Sequence, residues 1–136
     1  MPPLPAVALD HVGIAAATAR SHPLANALGA GELALRQMPS GVAIARFGPG
    51  DQLELVTPAG EGNPVERFLE QRGPGLHHVA LQVAPPLAAV LERLSQAGVQ
   101  VIGVIEPSAD GRPSAFLHPR TTGGMLVELV EGRSRA

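Results

Sequence analysis

The chain has 136 residues, a formal net charge of −2 and 45% hydrophobic residues, which suits one domain with a core of ordinary size. All ten basic residues are arginine, and there is no lysine, cysteine, tyrosine or tryptophan. This excludes lysine Schiff-base and P-loop chemistry, disulfides, thiolate nucleophiles and cysteine-ligated zinc, and it argues against nucleic-acid binding, which wants clustered positive charge and stacking rings.

Val7 to Ala15 alternates roughly and reads as a strand. Thr18 to Leu28 is alanine-rich and reads as a short helix that Gly29 can end. Glu32 to Gln37, Val42 to Phe47 and Gln52 to Thr57 read as three strands, parted by the turn signals Pro39-Ser40-Gly41 and Gly48-Pro49-Gly50-Asp51. Asn63 to Glu70 reads as a helix, with Asn63 as N-cap, Pro64 at the first position, Glu66 three after the cap and Gly73 beyond the end. Leu76 to Val83 is a strand. Pro86 to Ala97 is the clearest helix, with Leu87, Val90, Leu91 and Leu94 on one face and Gly98 as stop. Val99 to Ile105 is a strand, 106–113 a polar loop, and Ser114 to Leu117 and Met125 to Glu131 are strands. The tail from Gly132 is expected to fray. No segment is apolar enough over a sufficient length to span a bilayer. The opening Met1-Pro2-Pro3-Leu4-Pro5 has no secretory pattern, so the expected compartment is the cytoplasm.

The order is strand, helix, three strands, twice over. The fold class expected is therefore α+β: one domain over 1–136, with module one at about 6–58, a linker helix at about 63–73 and module two at about 75–131. A single βαβββ unit cannot bury its sheet face alone, so two are expected to form one curved, half-open mixed sheet with helices outside and a cleft inside.

The repeat extends to chemistry. Leu9-Asp10-His11-Val12-Gly13-Ile14-Ala15 is echoed by Leu76-His77-His78-Val79-Ala80-Leu81, and Gln52-Leu53-Glu54-Leu55-Val56 by Met125-Leu126-Val127-Glu128-Leu129-Val130. Alternate residues of a strand share a face. Leu53, Leu55, Val127 and Leu129 therefore point away from the two glutamates, and Val12 and Val79 away from His11 and His78. Taken singly, such a His is more often a hydrogen-bonded core or rim residue, and such a Glu sits on a solvated face. The repetition at equivalent places favours a metal-ligand set of His11, Glu54, His78 and Glu128, because burying an unpaired carboxylate is costly. Two neutral imidazoles and two carboxylates suit one divalent Co, Ni, Zn, Mn or Fe ion and suit Ca or Mg poorly. Four protein ligands leave a six-coordinate ion two open places for a chelating substrate. His77 has the parity of Val79 and is placed as a non-ligand, His22 as a surface or cap residue, and His118 as a rim residue or substrate contact.

At these residues the chain resembles the vicinal oxygen chelate superfamily, which includes glyoxalase I, extradiol dioxygenases and antibiotic-resistance proteins. Within it, the second half resembles the methylmalonyl-CoA epimerases. Residues 68–80, ending Gly75-Leu76-His77-His78-Val79-Ala80, are similar to that family's linker helix and double-His strand. Phe116-Leu117-His118-Pro119-Arg120 with Gly123-Gly124-Met125-Leu126-Val127-Glu128-Leu129 is similar to its FLHPK-x-x-GGVLVEL ending. The resemblance implies ligands at His11, Glu54, His78 and Glu128, and inversion at C2 of a methylmalonyl-type CoA thioester by removal and return of a proton. It implies Glu128 as one base, with Glu54 or a water on the opposite face. Arg120, in place of the motif's lysine, would hold a CoA phosphate or the substrate carboxylate, with His118 beside it. A homodimer, an acyl-CoA substrate and no nucleic-acid or membrane partner are also implied. The chain departs from some epimerases by carrying Ile44 where they place an acid on the third strand. A glyoxalase I-type lyase and a non-catalytic antibiotic-binding protein are the competing readings.

Overall fold

The computed structural model describes residues 6–20 and 22–132. The chain divides into two compact units, one running from His11 to His77, the other joining the residues up to Asp10 to those from His78 on. The division falls inside the first strand, β1 (Ala6–Ala15).

In the His11–His77 unit, β1 is followed by α1 (Pro23–Ala27), β2 (Arg36–Gln37), β3 (Val42–Phe47), β4 (Leu53–Pro58) and α2 (Pro64–Arg72). The strand order is β2-β3-β4-β1, with β1 parallel to β4 and the other pairs antiparallel. Its core joins Leu55, Phe47, Ala25 and Ala16, with Ile14, Leu33 and Leu53 packed around them. Leu53 and Leu55 thus face the helix side, as strand parity requires.

Two expectations fail here. The first helix does not begin at Thr18 but at Pro23, because proline bars its predecessor from the helical region, and His22 is extended at φ −64°, ψ 127°. It ends where Gly29 turns left-handed at φ 69°. The expected strand at Glu32 to Gln37 shrinks to Arg36–Gln37, since only these two residues find ladder partners, Ile44 and Ala43. The linker helix forms as its cap signals predict. Asn63 Oδ1 accepts from the Glu66 amide at 3.0 Å, and Glu66 reaches back to accept from the Gly62 amide at 2.8 Å.

In the other unit, β5 (Gly75–Val83), which the division enters at His78, is followed by α3 (Leu87–Gln96), β6 (Val101–Pro107), β7 (Pro113–Leu117) and β8 (Val127–Glu131). The order is β5-β8-β7-β6, with β5 parallel to β8. Leu87 and Leu91 of α3 pack on Val83, Ala115, Leu117, Val127 and Leu129. The start of α3 has no cap of its own from Pro86. Instead the Leu87 amide donates to Glu131 Oε2 at the end of β8, at 3.0 Å. β6 is displaced from the expected span: it runs on through Glu106 and Pro107, so the loop is only 108–112. β8 begins at Val127 rather than Met125, after the left-handed Gly123 and Gly124. Gly132 itself is held, its amide donating to the Val83 carbonyl at 2.8 Å, and the rest of the tail expected to fray, 133–136, lies outside the described residues.

A charged cluster fastens this unit. Asp10 is buried and accepts from Arg112 Nη2 at 2.7 Å and from Gln82 Nε2 at 3.0 Å. Arg112 also donates through Nε to Asp110 and through Nη1 to the Glu131 carbonyl. No helix among the described residues is long and apolar enough to cross a membrane.

Candidate metal centre

Backbone register places the two His/Glu pairs identically. In β1 and β4, Gly13 pairs with Glu54, and His11 lies two residues before Gly13. In β5 and β8, Ala80 pairs with Glu128, and His78 lies two residues before Ala80. Each histidine therefore shares a face with its own glutamate, on the side opposite the leucines that pack on the helices. His11 Nε2 lies 3.6 Å from Glu54 Oε1, and His78 Nε2 lies 3.5 Å from Glu128 Oε1. All four side chains are buried, His11 at 2% and His78 at 3% exposure. Carboxylates this deep need a partner or a cation, so the solvated-face reading of the two glutamates fails.

The neighbours of the two pairs differ. Across from Glu54 on β3 stands Arg46, and across from Glu128 on β7 stands Phe116. Arg46 Nε donates to Glu54 Oε2 at 2.8 Å, its Nη2 lies 3.1 Å from His11 Nδ1, and its Nη1 donates to the Asp51 carbonyl at 3.3 Å. Phe116 instead meets the His78 ring edge to face, centroids 5.5 Å apart at 78°. Neither residue was singled out by the sequence. An arginine one residue from the end of an apolar strand carries no local sign of its partner, and only the cross-strand register with Glu54 gives it away. Ile44, two residues before Arg46 on the same face, is buried, so the third strand offers this site an arginine and no acid.

The remaining histidines fall outside the pairs. His77 is half-buried, its ring 4.9 Å from Phe68 of α2. His22 stands at the N-cap position of α1 without making a cap bond, 6.4 Å from the Phe47 ring. His118 caps the 3-10 turn Pro119–Thr121, its Nδ1 accepting from the Arg120 amide at 3.2 Å. Arg120 itself is exposed. The donor chemistry of the two pairs, imidazole plus carboxylate twice, fits a divalent transition ion.

The chain belongs to the Glyoxalase/Bleomycin resistance protein/Dioxygenase superfamily, whose family model matches residues 10–116. Among its relatives is an ethylmalonyl-CoA/methylmalonyl-CoA epimerase from Cereibacter sphaeroides, 41% identical over 130 residues, spanning 90% of this chain and 96% of that one. The crystal structure of methylmalonyl-CoA epimerase from Mycobacterium tuberculosis has the same fold, with a TM-score of 0.78 and 30% identity over 95% of this chain and 90% of that one. A Streptomyces coelicolor methylmalonyl-CoA epimerase variant in complex with 2-nitronate-propionyl-CoA matches with a TM-score of 0.76 and 27% identity, over 93% of this chain and 98% of that one.

Proposed function

We propose that this chain is a metal-dependent epimerase of a methylmalonyl-type CoA thioester, inverting C2 by proton removal and return. The observation that carries the reading is the identical register of a buried His/Glu pair in each module. The epimerase relatives support the substrate class. His11, His78 and Glu128 are buried side chains of metal-ligand type, and with Glu54 they would hold one divalent cation. When bound, such a cation supplies Lewis-acid polarisation of a thioester carbonyl.

The chain's own residues do the rest. Glu128 takes the C2 proton on one face. Glu54 is the candidate for the opposite face; without metal its Oε2 accepts from Arg46 Nε and its Oε1 is turned to His11. Phe116 holds the His78 ring, and Arg120 is exposed to meet an anionic group of the substrate. General acid–base catalysis of this kind contributes roughly 10²- to 10⁴-fold per group.

The test is deuterium wash-in at C2 of methylmalonyl-CoA, followed by NMR with Co²⁺ added. Exchange well above the uncatalysed rate, lost in Glu128→Gln, is expected. No exchange above background, or a full-rate Glu128→Gln protein, refutes the assignment.

A further inference from the structure

The two modules answer the same structural question with different residues. At the position facing the glutamate, module two places Phe116 and module one places Arg46. Phe116 orients a histidine by packing alone. Arg46 contacts both members of its pair through hydrogen bonds, and the Asp51 carbonyl anchors its third nitrogen.

The chemistry of that contact is restrictive. A guanidinium has five N–H donors and no acceptor, and it keeps its proton in proteins. The ring nitrogen it faces, His11 Nδ1, must therefore present a lone pair. A neutral imidazole has one such nitrogen, so the proton resides on Nε2, the atom turned toward Glu54 Oε1. A metal ion bound at a neutral His11 needs that same single lone pair. It also needs an oxygen of Glu54, whose charge the Arg46 Nε already compensates at 2.8 Å. Arginine and metal are thus alternative cationic partners of the module-one pair.

We propose that Arg46 is a positioning residue serving as the built-in cation of module one: it orders Glu54, sets His11 as the Nε2–H tautomer in the metal-free chain, and yields both to an incoming divalent ion, whose affinity it lowers. The first part concerns the metal-free chain alone, whereas the last clause rests on the reading of this centre as a metal site.

The two parts are measured separately. In the metal-free, ¹⁵N-labelled chain, a long-range ¹H–¹⁵N spectrum distinguishes the tautomers, and His11→Gln assigns the ring. The expected result is Nε2–H for His11, with loss of that preference in Arg46→Met. A His11 protonated on Nδ1 in the wild type overturns the first part. Zn²⁺ affinity is then read by competition with a chelating dye. Arg46→Met is expected to bind Zn²⁺ at least tenfold more tightly than wild type, and Arg46→Lys, which keeps the charge, within about threefold of it. A folded Arg46→Met chain with equal or weaker affinity overturns the second part. Absence of Zn²⁺ binding in every variant overturns the metal reading and the second part with it, while the tautomer result still decides the first.

Discussion

Replacing Arg112 by Met tests how the second unit is held together. Arg112 bridges Asp10 of β1, Asp110 of the 108–112 loop and the Glu131 carbonyl of β8. The side chains of the Arg112–Asp10 pair are 15% and 4% exposed, so the carboxylate left behind stays buried. Breaking a buried pair by removing one partner costs about 3–5 kcal/mol. Water reaching the vacated guanidinium site offsets part of this, giving about 2–4 kcal/mol. At a urea m-value of about 2 kcal/mol/M, the midpoint falls by about 1–2 M. With no tyrosine or tryptophan in the chain, the transition is followed by circular dichroism at 222 nm. Adding Asp10→Asn removes the stranded charge while Gln82 keeps an oxygen to donate to. The double variant should therefore be more stable than Arg112→Met alone, with a coupling of about 1–3 kcal/mol. A loss below about 0.5 kcal/mol, or a double variant no better than the single one, refutes the claim that this pair fastens the unit.

Acid should weaken the same cluster. Burial pushes the Asp110 carboxyl up, but hydrogen bonds from Ser108 and Arg112 and the Arg112 charge outweigh it and hold the group below its ordinary value. Its contribution is complete above the unfolded carboxylate range of about 4 and is lost as pH falls through the lower folded value. The stability difference between wild type and Asp110→Asn, followed by urea titration, should thus vanish with acid below that range. Asn63→Ala removes the cap of α2 and should cost about 1–2 kcal/mol in thermal melts. Leu55, fully buried at the centre of its core, should cost about 2–5 kcal/mol when cut to Ala. In steady-state epimerase assays Arg120→Ala should raise KM with little change in kcat; an equal fall in kcat would place Arg120 in the transition state instead.

Local chemistry made much of this molecule legible. The cap, proline and glycine around 63–73 wrote α2 into the sequence, and parity alone put His11, Glu54, His78 and Glu128 on the faces they occupy. What stayed hidden depended on distant partners. β2 is short because only Ile44 and Ala43 lie within reach of it, and no local pattern reports that. Asp10 looked like part of a strand-start signature, yet its arginine lies 102 positions away in the chain. Arg46 was illegible for the same reason: its meaning resides in the register of β3 against β4.

The outer strand of the second unit carries a further consequence. β6 exposes Ile102, Val104 and Ile105, with Val104 at 71%, a composition that invites another strand to dock and polymerise. Its backbone declines the invitation. Gly103 turns left-handed at φ 69°, three residues from Gly103 to Ile105 stand against the single Ala115 of β7, and Pro107 has no amide hydrogen to offer. A neighbouring chain approaching this margin finds no unbroken row of donors and acceptors, so the irregular backbone interrupts the ladder that strand addition would need, on a strand whose side chains would otherwise favour it.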